Sequence, residues 1–379
     1  MEYVFWLTIF LLIYPYAIYP LIILALGTIW PKSVSRREWE PTVSVLIPAY
    51  NEVDCIGATV QNKLDQNYPK EKLQIIVISD GSNDGTDDVV SGFAEQGVQL
   101  LRREGREGKA AALNAAVLQA VGKIIVFSDA NSLFEKNALR NLVSNFSDHE
   151  VGYVTGALNY LTEGTNLSGM GAGSYIRYEN FLRQLETKFG SVIGVNGGAD
   201  AIRRELYVDT PNHLITDFVL PLSVMARGHR VIFDPCASSC EIANSQTLSE
   251  FRMRVRVALR ALQGLAYMRR LLNPFNYPIA SFCIFSHKIL RYMAFVFLLI
   301  ALICNAMLAM NSVLYQAILL AHVAVYGIAL IGLINRAPSW MRRVTVVPSY
   351  LVMSYAAFAV ATFKFLRGDA MATWRPRAG

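Results

Sequence analysis

Two glycine signatures are missing from this chain. No glycine-rich loop ending in Lys-Ser/Thr occurs, so the phosphate cradle of a P-loop NTPase is excluded. No dinucleotide-type glycine fingerprint follows the first strand-like run, which argues against a dehydrogenase. Cysteine is scarce: Cys55, Cys236, Cys240, Cys283 and Cys304 are odd in number, scattered and without a common zinc spacing, as inert reduced thiols would be. His213, His229 and His287 show no metal-ligand spacing either. A long polar basic tract is also absent. The net charge of +6 and the pI near 9.0 arise from Lys and Arg placed beside apolar runs, which suits anionic lipid headgroups and gives no reason to expect a nucleic acid partner.

Apolar sequence is abundant. At 53% hydrophobic residues and a mean hydropathy of +0.32, the 379-residue chain is too apolar for a purely soluble protein. The opening run "YVFWLTIFLLIYPYAIYPLIILALGTIW" exceeds the roughly 20 apolar residues that cross a bilayer. It lacks a basic n-region and a small-residue cleavage site, so an uncleaved anchor is expected. Three further runs, 289–310, 313–334 and 344–366, lie near the other end. The expected organisation is an anchor at 1–30, a water-soluble domain at 31–245, amphipathic interface helices at 246–286 and a membrane region of about three spans at 287–379. Lys32, Arg36 and Arg37 after the first run, and Arg336, Arg342 and Arg343 between the last two, place the soluble domain in the cytoplasm by the positive-inside rule. Four simple crossings would leave Lys364, Arg367, Arg375 and Arg377 outside, against that rule. Either the last run is re-entrant or another segment, such as 277–285, dips into the membrane.

Within the soluble stretch, "TVSVLIP", "LQIIVIS" and "KIIVFS" read as strands buried on both faces. They alternate with the helix-like "EVDCIGATVQNKLDQ", "DGTDDVVSGFAEQ" and "GKAAALNAAVLQAV". This alternation predicts an α/β fold with a mostly parallel sheet and helices on both faces. Ligands of such sheets bind beyond the carboxyl ends of the strands. Those ends read "AYNE" (49–52), "DGSNDGT" (80–86) and "DANS" (129–132), and all three carry acids. Singly, Asp80 or Asp84 reads equally as a helix cap or turn former. Together, acids on one sheet edge suit ribose hydroxyls, base N–H groups and a Mn²⁺ or Mg²⁺ ion on a diphosphate.

The motifs "VSVLIPAYNE", "ISDGSNDGT", "GREGKAAALNAA", "FSDANS", "NGGADAIRRE" and "ITDFVLPLSVMARGHRVIFDP" resemble, in order and spacing from 42 to 260, the family 2 glycosyltransferases of GT-A fold. The flanking apolar runs look like those of membrane-embedded members such as hyaluronan, chitin and cellulose synthases. The resemblance implies that Glu52 and Asp80 contact the nucleoside of a nucleotide-sugar donor, usually UDP-linked, with Lys109 beside them. Ala49, Asn51 and Gly81 of the same strand ends are implied as further donor contacts. Asp129 takes the first place of the metal-binding Asp-x-Asp motif; Asn131, in the second, offers an amide oxygen in place of a charge.

By the same resemblance, Asp217 is the general base that deprotonates an acceptor hydroxyl for an inverting displacement, with Thr216 where relatives have Glu. The other reading of Asp217 is a cap for the following helix. In "SEFRMRVRVALRALQGLAYMRRLL" (249–272), a helix with its apolar side in lipid is one reading. The resemblance adds another, in which Arg256 grips the donor diphosphate. Met253 and Val257 replace the Gln and Trp of the processive synthases. This points to a single addition onto a lipid-linked acceptor, whereas the several C-terminal runs point to a processive polysaccharide synthase. A non-catalytic scaffold or transport subunit keeping a degenerate transferase fold is the alternative from another class. Aromatic residues in "YIRYENFLRQLE" (175–186) read as packing.

Overall fold

A computed structural model describes residues 1–161, 167–242, 247–334 and 342–369. Arg336 and the tail carrying Arg375 and Arg377 lie outside them. The three apolar runs are strands β1 (Val43–Ala49), β2 (Leu73–Asp80) and β4 (Ile124–Ser128), joined by β3 (Val98–Arg103), β5 (Leu133–Phe134), β6 (Val151–Leu161), β7 (Ala199–Arg203) and β8 (Arg230–Ile242). Their order in the single sheet is β3-β2-β1-β4-β7-β6-β8-β5. The pairs β2–β3, β1–β2, β1–β4 and β6–β8 are parallel, and β7 runs antiparallel between β4 and β6. This is a GT-A-like arrangement.

β1 shows why its sequence is apolar throughout. Val45 and Ile47 enter one core with Ile56 and Val60 of the helix Val53–Leu64 and Leu139 of the helix Ala138–Ser144. Leu46, between them, enters the opposite core with Leu113 of Lys109–Val117 and Leu220 of Thr216–Ala226. Both faces of the sheet are covered, so alternate side chains are apolar in either direction.

Among the described residues, three helices are long and apolar enough to cross a membrane: Glu2–Ile29, Val313–Leu333 and Val344–Leu366. The remaining apolar run is broken. Pro278–Tyr292 and Ala294–Leu308 meet at 58°, so the segment 277–285 suspected of dipping into the bilayer belongs to the first limb of a bent pair that makes at most one further span. One apolar cluster ties these parts to the sheet domain: Tyr19 and Ile23 of the first helix, Leu182 and Leu185 of the helix Leu167–Phe189, Leu222, Leu265 of the helix Thr247–Tyr267, and Ile284.

Candidate active site

The loops after β1 and β2 hold one another. Asn51 sits at φ 52°, a left-handed conformation that Asn tolerates, and its side chain exchanges hydrogen bonds with Asn83: Nδ2 donates to Oδ1 at 3.0 Å, and Oδ1 accepts from the Asn83 amide at 3.0 Å. Asp84 accepts from the backbone N–H groups of Val53 and Thr86 and from the Thr86 hydroxyl. Asp80 is fully buried, and its oxygens accept from the amides of Glu107 (3.2 Å) and Gly108 (2.8 Å). That carboxylate fixes the turn that launches Lys109 at the start of its helix. Gly81, at φ 78°, passes Gly105 closely: a Cβ on it would lie 3.1 Å from the Gly105 carbonyl.

The turn after β4 is braced from the helix Val53–Leu64. Thr59 donates to the Ala130 carbonyl at 2.7 Å, and the buried Lys63 ammonium donates to the Ser132 carbonyl at 2.6 Å. Burial pushes the Lys63 pKa down to about 7. Asp129 is thereby presented to a cavity of about 360 Å³.

Lys109 lines that cavity. Its ammonium donates to Asp129 Oδ1 at 2.7 Å and to Asp217 Oδ2 at 3.2 Å. Burial alone would lower the Lys109 pKa, but the charges of Asp129 and Asp217 outweigh it and hold the group well above its usual range. Asp217 lies in the first turn of the helix Thr216–Ala226, where the helix dipole favours a carboxylate. Room for it comes from Gly197: a Cβ there would come within 2.6 Å of Asp217 Oδ2, and the φ of 83° is one that a side chain resists. Behind it, Asp200 is fully buried and accepts from Tyr153 (2.8 Å) and Thr155 (2.6 Å). Burial first, then the negative charge of Asp217, pushes the Asp200 pKa up to about 7.

Glu52, Lys109, Asp129, Asn131, Asp217 and Arg256 all line this cavity. Ala49, Asn51, Asp80 and Gly81 do not line it; they build the adjoining loops. The lining also includes Met253, Arg256, Val257 and Arg260 from the helix Thr247–Tyr267, with Lys288 and Tyr292 from the bent apolar helix. Arg260, Lys288 and Tyr292 were not singled out by the sequence. A lysine within an apolar run is the signal that would have found Lys288. Among the described residues no group of three His, Cys, Asp or Glu side chains stands ready as an all-protein metal site. The donor set that is there, the Asp129 carboxylate and the Asn131 amide, is made of hard oxygens. It fits a divalent ion that takes its other ligands from a phosphate and water.

Comparison with known proteins bears on the family and the fold. Residues 44–209 match the family model described as glycosyl transferase family 2. A probable glycosyltransferase of Bacillus subtilis, YdaM, is 29% identical over 243 residues, 60% of this chain and 57% of that protein. The poly-β-1,6-N-acetyl-D-glucosamine synthase of Staphylococcus aureus is 29% identical over 224 residues, 57% of this chain and 53% of the synthase. The matched region thus spans little more than half the length of these relatives. A solved mannosyltransferase of Pyrobaculum calidifontis, in complex with GDP-mannose and Mn²⁺, superposes with a TM-score of 0.73 at 25% identity, covering 97% of this chain and 99% of the other. With the strand order, the cavity at the strand ends and the matched motifs in place, residues 44–209 are a glycosyltransferase family 2 domain on a GT-A-like fold.

Proposed function

We propose that the protein transfers a sugar, with inversion, from a nucleotide-sugar to an acceptor presented at the membrane, in the assembly of a polysaccharide or a lipid-linked glycan. The observation that carries this reading is the Lys109 bridge between Asp129 and Asp217. It brings the candidate metal ligand and the candidate base to one cavity at the carboxyl ends of β1 and β4, within about 6 Å of each other, a spacing at which their charges are strongly coupled. In this reading Asp217 takes the proton from the acceptor hydroxyl, and Arg256 holds the departing diphosphate. Asp129 and Asn131 would hold Mn²⁺ or Mg²⁺, which supplies charge neutralisation to the diphosphate. Glu52, near the end of β1, faces the nucleoside.

The sheet domain is placed in the cytoplasm, between an N-terminal anchor and the C-terminal apolar helices, with the helix Thr247–Tyr267 along the interface. A UDP-linked donor follows from the motifs; likeness to the mannosyltransferase makes GDP-mannose its first competitor. A screen of nucleotide-sugars for metal-dependent release of nucleoside diphosphate tests the whole reading. Release is expected with Mn²⁺ or Mg²⁺ and one donor, and it should fall at least 100-fold in Asp129→Ala and Asp217→Ala. Full activity in both variants, correctly folded, would remove the site assignment, and the absence of release from every donor would leave the scaffold reading.

A further inference from the structure

The cavity lining carries four cations, Lys109, Arg256, Arg260 and Lys288, against three carboxylates, Glu52, Asp129 and Asp217. Asp129 and Asp217 share Lys109, and Arg260 and Lys288 line the same space. Lys288 forms no ion pair among the described residues. The acids nearest to it are engaged elsewhere: Glu179 with Arg291 and with His287 Nε2, at 3.2 Å from the imidazole, and Glu186 with His287 Nδ1 at 2.7 Å and the Tyr19 hydroxyl at 2.8 Å. These same contacts fix the rotation of the helix. With His287 and Arg291 clamped on one side, Lys288 and Tyr292, one turn apart, face the cavity. The lysine reaches it across Gly194, where an added Cβ would lie 2.4 Å from Nζ. Arg260 is 8% exposed; one of its terminal nitrogens donates to the Leu214 carbonyl, and its Nε has no partner.

Taking the cavity to be the transfer site, as proposed above, we infer that Lys288 and Arg260 form a subsite for a phosphate group carried by the acceptor. The chemistry favours phosphate: a phosphodiester spreads its negative charge over two non-bridging oxygens, which an ammonium and a planar guanidinium can engage side by side. Position favours the acceptor over the donor. Lys288 belongs to the bent apolar helix, and Arg260 lies one turn beyond Arg256 on the amphipathic helix, toward the chain segment that leads to it; both are outside the strand ends that supply Glu52 and Asp129. A group arriving there comes from the bilayer side, where a lipid-linked acceptor would carry its phosphate next to the sugar.

The test uses the full chain in nanodiscs of zwitterionic lipid. Three acceptors are compared: an isoprenoid-phosphate-linked sugar, the uncharged alkyl glycoside of that sugar, and an alkyl uronide. Equilibrium binding is measured without donor, and nucleotide release with and without acceptor. The wild type is expected to bind the phosphate acceptor at least tenfold tighter than the other two. Lys288→Gln should abolish that preference, Lys288→Arg should restore part of it, and Gly194→Ala, which pushes the ammonium aside, should weaken it without removing a charge. In all three variants binding of the uncharged glycoside should change far less than binding of the phosphate acceptor.

Equal binding of the phosphate and neutral acceptors by the wild type would overturn the inference, as would a preference for the uronide. A Lys288→Gln defect in donor-only release would overturn it too, because the lysine would then serve the leaving diphosphate. Since binding is read without donor, failure here is separable from failure of the transfer reading. A wild type that binds the phosphate acceptor selectively yet turns over no donor sinks only the latter.

Discussion

Replacing Lys109 by Met removes the one cation that both candidate catalytic carboxylates share. At about 3 Å and an effective dielectric constant of about 20, each contact is worth roughly 5 kcal/mol before desolvation is counted. Once the ammonium is gone, two carboxylates within about 6 Å repel by about 3 kcal/mol at the same dielectric constant. The side chains of Lys109, Asp129 and Asp217 are 20%, 36% and 23% exposed, so water screens part of both effects. The net loss falls between the values for surface pairs and for buried pairs, at about 2 kcal/mol. Thermal unfolding of the detergent-solubilised protein in chelator reads this as a fall of several degrees. Two further results follow from the same electrostatics. Mn²⁺ should stabilise Lys109→Met more than the wild type, because Asp129 no longer has a competing cation. Adding Asp129→Asn to Lys109→Met should recover about half of the loss, because one unpaired charge is gone. A variant as stable as wild type in chelator, with no enhanced response to Mn²⁺, would refute the claim that this lysine is the counter-ion of the site.

Gly156→Ala should destabilise by at least about 3 kcal/mol in chemical denaturation: the new Cβ would sit 2.0 Å from the Ala237 carbonyl, at a register shift between β6 and β8 where backbone meets backbone. Asp200→Asn should flatten the pH dependence of stability. A carboxyl whose folded pKa is raised to about 7 stays protonated in the fold while its unfolded counterpart ionises near 4, so the wild type loses on the order of 4 kcal/mol as pH rises through that window. Melting temperature against pH would show the slope in the wild type and not in the variant. Glu186→Leu strands the Tyr19 hydroxyl, His287 Nδ1 and the Ile193 amide, all of which now meet one buried carboxylate. It should cost about 3 kcal/mol. Limited proteolysis should then release the first helix, whereas intact packing of that helix would contradict the assignment.

The sequence was readable where burial is complete. β1, β2 and β4 are apolar along most of their lengths because both faces are covered, and the helices between them begin and end within a few residues of expectation. β3 was not anticipated: "VQLLRR" is an edge strand with exposed Gln99 and Arg102, and its charges blur the apolar signal. β8 was hidden for another reason, since "RVIFDPCASSCEI" carries Pro and small polar residues that read as a turn, and its pairing with β6 on one side and β5 on the other makes it a strand. In the site, Glu52, Asp129 and Asn131 meet because the ends of β1 and β4 share one edge of the sheet, and Lys109, Asp217 and Arg256 reach the same cavity from helices. Arg260, Lys288 and Tyr292 carry no comparable pattern. Their convergence depends on how the helices Thr247–Tyr267 and Pro278–Tyr292 dock, which is a property of tertiary packing.

That docking makes the apolar helices a wall of the site. Strand ends alone supply Glu52, Asp129 and Asn131, enough to hold a nucleotide and an ion, whereas the groups that would meet an acceptor come from helices beyond the sheet domain. The loop at 190–198 joins the two. Arg183 donates to the Gly194 carbonyl at 2.6 Å, Glu186 accepts from the Ile193 amide, and Gly197 makes room for Asp217. A shift of the helix Leu167–Phe189 relative to the first apolar helix would therefore move the Gly194 edge of the cavity and the space around the candidate base together. Donor chemistry and the docking of the apolar helices are in this way one structural problem: loosening the ion cluster around Glu179, Glu186, His287 and Arg291 should impair transfer to a lipid-linked acceptor more than it impairs hydrolysis of the donor by water.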